Sequence, residues 1–274
     1  MKKKLLGSLS LFLKGMIVGT GAILPGISGG VLCVAFGIYE PMMALLSHPI
    51  KSFSKYYKMF IPFLIGWVLG FILLANFVEQ LFLTSSTIAI MLFAGLIFGT
   101  LPQLLKDANT TNNQNWTPLI LSIVFFFVLA KVVQSSNLMT IPQNELIYVL
   151  AGAIWGLSLV IPGLSSSSLL IFMGIYQPMT SGIAALNLQV ILPLLLGLSI
   201  TTLSTANFIN RLFETKRELI LKIVIGIVIA STITILPTAY TSLLNTFLSC
   251  VCFLGGYILA RLMDIQKEKS LIEH

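Results

Sequence analysis

Residues 19–30 read GTGAILPGISGG, a proline, a serine and five glycines set inside one of the most apolar stretches of the chain. Proline withdraws a backbone donor and disfavours helix in the residue before it, while glycine admits turns closed to other residues, so a helix arriving here must break. The interruption recurs at 156–168, GLSLVIPGLSSSS, with serines replacing three of the five glycines. Aligning 15–42 with 152–179 gives 12 identities in 28 positions, among them Gly19 with Gly156, Pro25 with Pro162, and Gly37-Ile38-Tyr39 with Gly174-Ile175-Tyr176. The likeness continues where IPFLIG and ANF (61–66, 75–77) match LPLLLG and ANF (192–197, 206–208). Shared apolar composition does not produce such an ordered run, so the chain is built from two related halves.

Around these breaks the composition is that of a membrane protein: 57% of 274 residues are hydrophobic and 9% charged, with a mean hydropathy of +0.98. Apolar runs near 59–83, 88–105, 117–135, 190–209, 219–236 and 243–260 each have about the length that crosses ~30 Å of hydrocarbon as a helix. The longest polar stretch, KDANTTNNQN at 106–115, is too short for a soluble domain. Residues 1–14 place Leu5, Leu6, Leu9, Phe12 and Leu13 on one helical face, which predicts a helix lying at the membrane interface. Cys33, Cys250 and Cys252 have neither metal-ligand nor CxxC spacing, and no motif calls for a metal or a cofactor.

The net charge of +7 is spread over short loops rather than gathered in a nucleic-acid-binding patch, so its sidedness carries the information. If the two breaks form hairpins that return to the side they entered, then Lys2, Lys3, Lys4, Lys14, Lys51, Lys55, Lys58, Lys106, Arg211, Lys216, Arg217, Lys222, Arg261, Lys267 and Lys269 share one side, 15 of the 16 basic residues. The opposite loops at 84–87, 136–145, 186–189 and 237–242 hold none. Lys131, the exception, is close enough to the end of its span to snorkel. The positive-inside rule then puts both termini in the cytoplasm of a multi-pass protein of the bacterial cytoplasmic membrane.

The predicted fold is an all-α polytopic membrane protein of two inverted-topology repeats, each a re-entrant helical hairpin plus three transmembrane helices. Repeat one covers 15–135, with its hairpin at 15–46; repeat two covers 143–262, with its hairpin at 143–186; 263–274 form a cytoplasmic tail. A full span beginning at Leu5 would hold the Lys14 ammonium near the bilayer centre, at ~2.5–3.5 kcal/mol on insertion scales, which favours the re-entrant reading.

Irregular backbone at membrane depth is tolerated where it is buried in protein or lines a wet cavity. After each turn a serine, Ser28 or Ser165, stands at the N-cap position. The N–H groups that follow would favour an anion such as phosphate. The candidate phosphate-binding residues are Pro25, Gly26, Ser28, Gly29 and Gly30 with Pro162, Gly163, Ser165, Ser166, Ser167 and Ser168. A proline-glycine turn could also serve merely to pack two helices, and two related copies weigh against that plainer role. Glu40 and Gln177 occupy equivalent positions before a proline. An intramembrane acid suggests proton coupling, although a solvated helix end explains Glu40 more simply. Tyr39 and Tyr176 are expected as interfacial anchors.

LPGISGG (24–30) and IPGLSSSS (161–168), followed by GIYEPM and GIYQPM, resemble the bacterial family of polyprenyl-phosphate transporters of the PopT type, formerly domain of unknown function 368. The resemblance spans essentially the whole chain. It implies a flippase that returns undecaprenyl phosphate from the outer to the cytoplasmic leaflet, with polyprenyl phosphate lipid and the bilayer as partners; a homo-oligomer is compatible with it. Undecaprenyl-pyrophosphate phosphatases share re-entrant repeats with a proline-glycine-serine turn, but theirs carries an arginine beside the serine. Neither turn here has one, nor a pair of acidic residues to activate water, so no enzyme activity is expected. A small-anion channel or a non-catalytic membrane scaffold would also accommodate two polar breaks in so apolar a chain.

Overall fold

A computed structural model describes residues 2–21, 23–24, 32–33, 36–38, 41–42, 49–108, 115–135, 144–161 and 163–272, without the side chains of 2–6, 49–53, 133–135, 210 and 266–272. The described residues are helical, with no strand among them. The helices are α1 (Lys2–Gly21), α2 (Pro49–Thr84), α3 (Ser86–Asp107), α4 (Thr117–Ser135), α5 (Glu145–Val160), α6 (Ser166–Phe172), α7 (Tyr176–Ala184), α8 (Leu188–Ile235) and α9 (Leu243–Ile272). Ser54–Thr84, Ser86–Asp107, Leu188–Ile209, Arg211–Ile235 and Leu243–Ile265 are long and apolar enough to cross a membrane. The sixth expected span corresponds to α4, whose 19 residues reach ~28 Å.

Several boundaries differ from those expected. α1 continues through Lys14 and Gly15 to Gly21, because nothing at that junction breaks a helix. α8 bridges the expected loop at 210–218, where the charged run ETKRE lacks proline and glycine; the interruption shrinks to Lys216, at φ −138 and ψ 34. Lys222, expected near a loop, is buried at 3% exposure with its ammonium 5.2 Å from the centre of the Trp116 ring. Lys14 is half-buried, its ammonium donating to the Phe36 carbonyl at 3.3 Å and lying 5.7 Å from the Phe36 ring centre.

Lipid tails are as apolar as leucine, so helices in a membrane associate through close packing, and small residues set the contacts. α1 packs on α2, and α5 packs on the first part of α8. A Cβ on Gly15 or Gly19 would run into the carbonyl of Phe63 or Trp67, and one on Gly66 into that of Phe12. The second pair repeats this register position for position: Gly152 meets Leu194, Gly156 meets Leu198, and Gly197 meets Val149. Packing between the halves is reciprocal as well. α3 lies on α9 through Gly95, Gly99 and Gly256, while the second part of α8 lies on α4, Gly226 against Ser122 and Leu119.

One apolar core joins the halves. Ile23, Val78, Phe82 and Phe93 from the first pack with Trp155, Leu170, Tyr176 and Met179 from the second. Phe71 stacks between Trp67 and Trp155, with ring centres 5.2 and 5.5 Å apart.

Candidate functional site

The second break lies between α5 and α6. The peptide leaves α5 at Ile161 in an extended conformation, turns at Gly163 with φ +84, and re-enters helix after Ser165. Glycine is favoured at 163 because L-residues disfavour that φ; a Cβ would also stand 2.8 Å from Leu104 Cδ2 of α3, a side-chain end that could turn aside.

Ser165 occupies the N-cap position of α6 as expected, yet makes no cap hydrogen bond, and its hydroxyl oxygen is buried without a hydrogen-bond partner. The next three serines are buried, and each is tied to a different element. The hydroxyls of Ser166 and Ser158 on α5 are 3.0 Å apart. Ser167 donates to the Ile23 carbonyl at 3.3 Å. Ser168 donates to the Ser165 carbonyl at 2.9 Å and lies 3.1 Å from the hydroxyl of Ser231 on α8. A polar seam thus runs through an otherwise apolar core, its hydroxyls retaining acceptor capacity beyond the bonds they make.

Tyr176 corrects its sequence reading. It is 2% exposed rather than interfacial, and its hydroxyl donates to the same Ile23 carbonyl at 3.0 Å. Its ring packs on Phe82 and Phe93, with centres 6.0 and 5.6 Å away. The reason is the turn at Gly174, φ +70, which folds α7 back so that its first residue faces the core. Gln177 lies in the first turn of α7, half-buried, its carbonyl accepting from Thr180 at 3.0 Å.

Of the expected site residues, Gly163, Ser165, Ser166, Ser167, Ser168 and Gln177 are placed as above. Pro25, Gly26, Ser28, Gly29, Gly30, Glu40 and Pro162 lie outside the described residues, as does Tyr39. Ile23 is two positions before Pro25, so the approach to the first break meets the serines of the second. Ser158 and Ser231 were missed by the sequence reading. Ser158 carried a usable signal, a hydroxyl on the last turn before the break; Ser231 is one hydroxyl among several on α8.

Comparison with known proteins gives matches over residues 2–111 and 50–249 to the model of the VCA0040-like family, described as undecaprenyl phosphate translocase-like. The chain belongs to this family. Two similar family relatives are each named polyprenyl-phosphate transporter. One, from Vibrio cholerae serotype O1, is 26% identical over 84% of this chain and 78% of its own length. The other, from Staphylococcus aureus, is 28% identical over 90% of this chain and 93% of its own. No solved structure matches.

Proposed function

We propose that the chain is a transporter that carries undecaprenyl phosphate, or a similar polyprenyl phosphate, from the outer to the cytoplasmic leaflet of the bacterial cytoplasmic membrane, acting as a carrier and not an enzyme. The observation that supports this most is the meeting of Ser167 and Tyr176 at the Ile23 carbonyl, which joins the approach to the first break with the return from the second at one point of the core. Names of the family relatives supply the substrate class.

In this reading 15–135 and 143–262 are inverted halves that work by alternating access, each a re-entrant hairpin followed by three spans. The phosphate is held by backbone N–H groups and hydroxyls at Pro25, Gly26, Ser28, Gly29 and Gly30 and at Pro162, Gly163 and Ser165 to Ser168, while the polyprenyl tail stays in lipid. Glu40, with Gln177 at the equivalent position of the second repeat, is the candidate coupling position. Both termini face the cytoplasm.

Leaflet-resolved measurement of undecaprenyl phosphate in cells depleted of the protein tests the reading. Accumulation in the outer leaflet, reversed by re-expression, is the expected result; an unchanged distribution, with no redundant carrier present, contradicts it.

A further inference from the structure

We propose a second phosphate-binding site, built from residues other than those of the breaks, in the cavity between the C-terminal part of α3 and the end of α9, with a lipid phosphate monoester as its ligand. The cavity measures about 140 Å³ and is lined by Pro102, Gln103, Lys106, Arg261, Asp264 and Ile265. By that measure one water needs ~10–15 Å³, so the four oxygens of a phosphate fit. It opens where the glycine contacts between the helices end. Gly95, Gly99 and Gly256 hold α3 and α9 close as far as Tyr257 and Ala260; beyond them longer side chains stand between the helices.

The lining chooses the ligand. Lys106 and Arg261 offer ammonium and guanidinium donors, the groups that bind phosphate oxygens most strongly. Gln103 is held by its amide, which donates to Asp107 Oδ1 at 3.0 Å. Asp264 adds a carboxylate, which repels an anion unless the ligand brings a proton. A monoester, with its second pKa near ~6, has a form bearing a P–OH that can donate to Asp264. A phosphodiester does not. Pro102 and Ile265 at the rim are exposed, as is Leu262 beside them, so a chain attached to the phosphate would leave along an apolar surface. Free phosphate has the same head chemistry but makes no use of that surface.

The site shares only its ligand class with the proposed function, and the test separates the two. The full chain, purified in detergent, is titrated calorimetrically with farnesyl phosphate, its methyl diester and inorganic phosphate. Farnesyl phosphate should still bind when Ser165→Asp blocks the breaks, and should weaken about tenfold or more when Arg261→Gln is added, as expected for loss of one charge-assisted contact. Arg261→Lys should weaken it less. The diester should bind about tenfold less tightly than the monoester, and Asp264→Asn should narrow that gap. Circular dichroism and thermal unfolding verify that each variant is folded. Unchanged monoester affinity in folded Arg261→Gln and Lys106→Gln chains overturns the site. Binding lost with Ser165→Asp alone but kept with Arg261→Gln overturns it too, while leaving the reading of the breaks intact. Inorganic phosphate binding as tightly as farnesyl phosphate overturns the lipid assignment.

Discussion

The hydroxyl of Tyr176 donates to the backbone carbonyl of Ile23 at 3.0 Å across 153 positions of sequence. Ile23 follows α1 and Tyr176 begins α7, so this bond and that of Ser167 connect the approach to one break with the return from the other. An acceptor in an apolar core strongly favours being bonded, which makes the contact a fixed point of the fold.

Tyr176→Phe keeps the ring packing on Phe82 and Phe93 and removes one donor. It should lower stability by ~0.5–1.5 kcal/mol, because Ser167 still serves Ile23. Tyr176→Ala also removes the ring and should lose ~3–5 kcal/mol. Thermal unfolding of the purified variants gives the ranking; equal losses would place the ring outside the core.

The repeated glycine register predicts paired effects. Gly15→Leu and Gly152→Leu should damage assembly alike, each forcing a side chain into a carbonyl of the facing helix, a strain of at least ~1–3 kcal/mol. Gly255→Ala, which meets nothing within 4 Å, should be tolerated. The yield of monodisperse protein measures this, and a mild Gly152→Leu beside a severe Gly15→Leu would mean that the halves do not share the interlock.

Ser165→Ala should leave stability within ~0.5 kcal/mol of wild type or raise it, since it removes a buried hydroxyl oxygen that has no partner and makes no cap bond. From sequence alone the same change would lose an N-cap worth ~0.5–2 kcal/mol. Denaturation of the two proteins side by side decides between these values; a full capping loss would show that the hydroxyl is used.

Cysteines introduced at Lys55 and Ser242, both exposed, should react from opposite sides of the membrane in a background where Cys33, Cys250 and Cys252 are replaced by alanine. An impermeant thiol reagent outside intact cells should label Ser242→Cys and spare Lys55→Cys. The reverse pattern would invert the orientation drawn from the basic residues.

What the sequence disclosed follows from which residues act locally. Pro162 with Gly163 announces a break wherever it occurs, so the second break was legible; the close contacts at Gly15 and Gly19 were not read from their spacing and emerge only where the facing helix is known. Tyr176 was not: an aromatic beside a helix end has the same local signature at an interface and in a core, and only the turn at Gly174 together with Phe82 and Phe93 decides. The charged run ETKRE gave loop and helix equally good composition, and the helix prevailed with Lys216 absorbing the bend. Lys14 has a carbonyl partner 22 residues away, which no window of sequence contains.

The central claim, that the paired breaks hold the phosphate, is tested most directly by transport of undecaprenyl phosphate in liposomes containing equal amounts of wild-type, Ser28→Asp or Ser165→Asp protein. An aspartate sets a like charge against the phosphate where screening is poor, while remaining a good N-cap that lets the chain fold. Transport by the wild type, and a loss of about tenfold or more in both variants, is the predicted result. Wild-type rates in both folded variants would contradict the account.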